Sequence, residues 1–147
     1  MNVSRARAFT FVELVATVAI VAVLAAASAP MVEVTARRAK ESELRSALRS
    51  MRSAIDAYKT AVDEGRVARK ADESGYPRSL ETLVSGVPDA KDPQHRRIYF
   101  LRRIPREPFA TDHALPAVQT WGLRSYASPP EAPLAGDDVF DVFSASS

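Results

Sequence analysis

The sequence predicts an α+β protein: one long N-terminal helix, transmembrane in its first half and amphipathic in its second, packed on a small C-terminal antiparallel β-sheet. Three observations predict it. No glycine occurs between Met1 and Glu64, and Pro30 is the only proline there. Apolar residues in the second half of that stretch recur at helical spacing. Beyond residue 76 the chain is rich in proline, with short runs of aromatic and β-branched residues bounded by Pro, Asp and Gly.

Residues 1–8, Met-Asn-Val-Ser-Arg-Ala-Arg-Ala, form a short positive leader carrying Arg5 and Arg7. An apolar segment follows over residues 9–32, with one carboxylate, Glu13, near its start. Leu14 to Val32 carries no charge. At about 1.5 Å rise per residue that run reaches roughly 30 Å, the thickness of a bilayer core. A charged side chain deep in hydrocarbon costs about 2.5–3.5 kcal/mol, less near the end of a span. An acid is retained there when a partner charge meets it, which makes Glu13 the first candidate functional residue. A secretory signal peptide also has a basic start, an apolar stretch and small residues at its end. Ala25-Ala26-Ala27 and Ala27-Ser28-Ala29 offer A-x-A patterns. Cleavage after Ala29 would leave Pro30 first, and Glu13 interrupts the apolar region.

The helical pattern does not stop at residue 32. Leu44, Leu48, Met51, Ile55, Tyr58 and Val62 alternate spacings of four and three, an apolar seam on one face of a helix over 33–64. Alanines and unbranched charged residues fill the positions between, all good helix formers. Gly65 supplies the stop, and Pro30 is expected to bend or loosen the helix. Arg37, Arg38, Lys40, Arg45, Arg49 and Arg52 against Glu41 and Glu43 read as a solvated face. Glu33 with Arg37 and Glu41 with Arg45 have the favourable i,i+4 order. No aromatic residue interleaves the arginines, so the stacking signature of single-strand nucleic-acid binding is missing.

Residues 65–78 read as a polar loop. Ser79 to Gly86 reads as a short helix with an N-cap serine and a C-terminal glycine, so 65–88 holds a loop and a short helix. A turn-rich connection runs from Pro88 to Gln94. Strands are expected at Ile98–Leu101, Trp121–Tyr126 and Val139–Phe143, in a sheet spanning 97–147. Trp121 and Tyr126 are expected in its core.

Enzyme chemistry has little material. There is no cysteine, which excludes disulfides, thiolate nucleophiles and cysteine-ligated metals. The net charge of +2 is too small to argue for nucleic acid by itself. Glycine-rich phosphate loops, G-x-S-x-G and H-E-x-x-H are all missing. His95 near Asp92 and His113 beside Asp112 read as solvated loop histidines. Asp137, Asp138 and Asp141 are oxygen ligands in principle, but their spacing is not that of an EF-hand loop. They read as a strand-entry turn.

A family comes into view at the helix start. A basic leader, a small residue and then Phe9-Thr10-Phe11-Val12-Glu13-Leu14 resembles the class III signal of type IV pilins and their relatives, usually a glycine followed by F-T-L-x-E-L. Downstream, Gly75-Tyr76-Pro77, the Ser79–Val84 run, Tyr99 to Phe109, Trp121-Gly122 and the ending Asp137 to Ser144 are similar to the major (G-type) pseudopilin of type II secretion systems. The resemblance implies prepilin peptidase cleavage between Ala8 and Phe9 and N-methylation of Phe9. It implies an inner-membrane single-pass subunit with its C-terminal domain, 33–147, in the periplasm. Glu13 would then pair with the Phe9 amine of a neighbouring copy in the filament. An acid and an ammonium in low dielectric offset each other's burial only when paired. The implied partners are other copies, minor pseudopilins, the prepilin peptidase, an assembly platform and an ATPase. The implied role is a structural one without catalysis, moving folded proteins through an outer-membrane secretin.

This chain departs from the family at three places. Ala8 stands where glycine is usual. Phe109 stands where the family often has Trp, before a longer connection to Trp121. The family's calcium loop follows its D-V-x-S strand, where this sequence reaches Ser147, so Asp137 and Asp138 do not inherit calcium and no cofactor is expected. These differences point to a divergent or minor subunit. The leader carries two basic residues, whereas 33–48 carries Arg37, Arg38, Lys40 and Arg45. The positive-inside rule alone therefore does not choose a cytoplasmic N-terminus. A type IV pilus or DNA-uptake pilin is the alternative within the class, and a signal-peptide-bearing soluble binding protein the alternative outside it.

Overall fold

The computed structural model describes residues 10–146. The chain divides into two compact units, Met1–Ala39 and Lys40–Ser147. Helix α1, Phe11–Asp63, is 53 residues long and carries on through Pro30, so the expected loosening there does not end it. In the first unit Thr10 caps α1: its Oγ1 accepts the Glu13 N–H at 3.2 Å and its carbonyl the Leu14 N–H at 3.1 Å. Residues 11–26 are exposed throughout, with Phe11 at 80% and Val23 at 69%. Among the described residues no helix is long and apolar enough to cross a membrane. The expected span to Val32 includes side chains 27–32, which lie outside the described residues.

The second unit is built on the C-terminal part of α1. Met51 and Ile55 are fully buried, Val62 nearly so, and Leu44, Leu48 and Tyr58 pack against the core from its edge. Ala47, Ala54 and Ala61 are buried too. Spaced at seven, they lie three residues beyond Leu44, Met51 and Tyr58 and widen the seam into a full apolar stripe. A methyl group at those positions lets packed segments approach the helix closely, so these alanines are core residues rather than spacers.

Helix α2, Leu80–Ser85, follows Ser79, whose extended backbone occupies the N-cap position without a side-chain capping bond. Leu80 and Leu83 are fully buried in the α1 core. Gly86 ends α2 at φ 71°, and a Cβ there would lie 2.8 Å from the Ile98 carbonyl oxygen. Glycine meets both demands.

The strands differ from the sequence expectation. Strand β1, Val87–Pro88, overlaps the start of the expected turn at Pro88 and pairs antiparallel with β2, Arg97–Ile98. The run Ile98–Leu101 gives only Ile98 to a ladder, because the Leu83 carbonyl takes the N–H groups of Phe100 at 3.1 Å and Leu101 at 3.0 Å. An open carbonyl at a helix C-terminus needs a donor, and these residues supply it. A short 3-10 helix, Ala117–Thr120, leads into β3, Trp121–Arg124. Strand β3 pairs antiparallel with β4, Asp141–Ser144, with Trp121 opposite Ser144 and Arg124 opposite Asp141. Ser125 and Tyr126 leave the ladder because their N–H groups go to the Leu134 carbonyl and Asp138 Oδ1. Among the described residues the one expected sheet is thus replaced by two two-stranded ladders. The α+β class holds.

Candidate functional site

Glu13 sits in the first turn of α1 and is exposed. Its backbone is satisfied, since its carbonyl accepts the Thr17 hydroxyl at 3.0 Å, which also reaches the Leu14 carbonyl at 2.8 Å. No cation meets its carboxylate among the described residues. Ala8 and Phe9, the expected processing residues, lie outside the described residues. The site therefore consists of an acid at the head of a helix whose next turns present Val12, Val15, Val18, Ile20 and Val21 outward. Such a surface has one physical use: burial against other apolar surface, lipid or protein.

The second unit offers little for catalysis. His95 and His113 are exposed on loops. His95 donates its backbone N–H to the Asp92 carbonyl at 2.9 Å, within a turn. Arg106 binds the Asp112 and Leu115 carbonyls and so fixes the loop bearing His113. Among the described residues no three His, Asp or Glu side chains converge as a metal site. Asp138 accepts the Tyr126 N–H at 2.8 Å and Asp141 is paired with Arg52, so two of the three candidate aspartates are already engaged.

Several charged groups act as fasteners. Arg52 is not simply solvated: its Nε meets Asp141 Oδ1 at 2.8 Å and a terminal nitrogen reaches the Val142 carbonyl at 3.1 Å. Asp89 accepts Arg66 through Nε at 3.0 Å and a terminal nitrogen at 2.7 Å, and also the Lys91 N–H. Chiefly the Arg66 hydrogen bonds hold its carboxyl below the usual range. Asp92 is lowered first by the Gln94 N–H and then by Arg96, and Glu73 first by the Lys70 N–H and then by Arg78.

The aromatic residues separate. Trp121 is 5% exposed and donates its ring N–H to the Pro105 carbonyl at 2.8 Å, a core role as expected. Tyr126 is 61% exposed, against expectation. It stacks on Tyr76 at 5.6 Å between ring centres, with Phe140 edge-on to both. Once its N–H follows Asp138 out of the ladder, its ring is carried to the rim of the core. An open groove of about 460 Å³ beside α1 is lined by Glu43, Ser46, Ser50, Arg102 and Arg103 among others.

Sequence reasoning missed Glu107. It is 1% exposed, and its carboxylate takes the hydroxyls of Ser144 at 2.9 Å and Ser146 at 2.6 Å. The available signal is faint: two serines two apart, at the end of a strand and just past it, and an acid between Arg106 and Pro108.

A family model described as the prokaryotic N-terminal methylation motif matches residues 3–29. The chain is also similar to a protein named type II secretion system core protein G from Klebsiella pneumoniae. The two are 29% identical over 144 residues, covering 92% of this chain and 93% of that protein. No solved structure matches.

Proposed function

We propose, on the support of the methylation motif and the near full-length similarity to a type II secretion core protein G, that this chain is a pilin-like structural subunit of a type II secretion pseudopilus. It is held in the inner membrane with its C-terminal domain in the periplasm, and it polymerises through α1. The observation that carries this reading is the exposed apolar surface of residues 11–26, headed by an acid that meets no cation among the described residues. In lipid or in a bundle of like helices the apolar surface is buried, and Glu13 then needs a cation. The amine of Phe9, freed by cleavage after Ala8 and methylated, supplies one from a neighbouring copy. Helices can pair these charges only at one axial offset, so the pair fixes register as well as offsetting burial. Filament growth by other copies and minor pseudopilins, driven by a platform and an ATPase, would push folded proteins toward a secretin.

Mass spectrometry of the protein matured in its own cell tests the reading. The expected N-terminus is N-methylated Phe9. A chain beginning near Ser28 or Pro30 sinks it, because α1 would then have lost both Glu13 and its apolar start.

A further inference from the structure

We infer that Glu107 is the latch that closes the C-terminal strand onto the fold. One side of the latch is fixed. The Glu107 N–H donates to Thr120 Oγ1 at 3.1 Å, and the neighbouring Pro105 carbonyl takes the Trp121 ring N–H at 2.8 Å. Residues 105–107 are therefore tied to the 3-10 helix and to β3. The other side is the end of the chain. Ser144 ends β4 and Ser146 lies two residues beyond it, and both hydroxyls reach Glu107. Each carboxylate oxygen receives one of them, and the Ser146 N–H closes on Ser144 Oγ at 3.2 Å.

The carboxylate makes this arrangement behave as a unit. Hydroxyl bonds to a carboxylate are short and stronger than neutral ones. A carboxylate left buried without donors is costly. Lifting residues 144–146 would remove both donors together, so the end of the strand opens as a whole or stays shut. Arg52 grips the beginning of β4 through Asp141 and the Val142 carbonyl. Strand β4 is a strap held at both ends, and between the two grips Val142 fills the core with Met51 and Ile55.

Hydrogen–deuterium exchange on the full-length chain in detergent tests this. Ser146→Ala, at a partly exposed position, should speed exchange of the 141–144 amides about tenfold, while the β1–β2 ladder stays at the wild-type rate. Ser146→Thr, which keeps the hydroxyl, should restore protection. Glu107→Ala should act at the same amides, and adding Ser146→Ala to it should add nothing. Unchanged exchange in Ser146→Ala, an equal rise in both ladders, or additive effects of the two changes would each overturn the latch. Should Glu107→Ala fail to fold, the comparison of Ser146→Ala with Ser146→Thr decides alone.

Discussion

Glu13 and Glu107 are two carboxylates with opposite circumstances. Glu107 is enclosed and has a hydroxyl for each oxygen. Glu13 is exposed in the single chain, and its surroundings are apolar. Glu107 has its partners within the chain, whereas in the proposed function Glu13 would gain its partner on assembly. Glu13→Ala removes the charge without touching the Thr10 cap or the apolar turns beyond it. Leader cleavage and membrane insertion should therefore proceed as in the wild type, while filament formation is lost. Immunoblots for processing and electron microscopy of filaments, with the variant alone and co-expressed with wild type, read the two separately. Wild-type filament yield from the variant would remove the pairing role.

At the scale of elements, the ring of Phe143 lies over its cross-strand partner Gly122, so that a Cβ there would lie 2.2 Å from the ring. Gly122→Ala should cost about 1–3 kcal/mol, because the ring and strand must shift to admit it. Urea denaturation would report this as a lower midpoint, and Phe143→Leu in the same chain should recover part of the loss. The contrast between α1 and the strands explains what the sequence made legible. The stripe from Leu44 to Val62 carries its own address, since every partner position on a helix face lies three or four residues away. Even there the pattern does not mark out the alanines at 47, 54 and 61, for a methyl shows its role only through what approaches it. The ladders depend on distant competitors. Val87 pairs with Ile98, while the Leu83 carbonyl diverts Phe100 and Leu101. Nothing local in Ile98–Leu101 announces that diversion. Glu107 was invisible for the same reason, as its partners lie 37 and 39 residues away.

The second unit as a whole is buttoned by carboxylates whose ionised form the fold favours. Asp89, Asp92 and Glu73 all titrate below their ordinary range, each through hydrogen bonds named above. A lowered folded-state value means that the unfolded chain binds protons first as pH falls. This contribution to stability is fully present above the unfolded carboxylate value, about 4, and is lost as pH falls through the folded values. Urea midpoints should hold level from pH 7 to about 5 and then decline. Asp89→Asn should lower the midpoint at pH 7 and make the acid decline shallower. An unaltered slope in that variant would remove Asp89 from the account.

The grip of Arg52 on Asp141 spans 89 residues, and it has a bearing on the order in which the protein comes into being. Met51 and Ile55 are covered by Val139 and Val142, which lie almost at the end of the chain. A ribosome delivers the helix well before its cover. Until Val139 and Val142 emerge, the stripe from Ala47 to Val62 stays wet. Closing so long a loop is slow compared with forming the helix. The nascent chain therefore passes through an interval in which this stripe of the helix is bare and open to non-native apolar contacts.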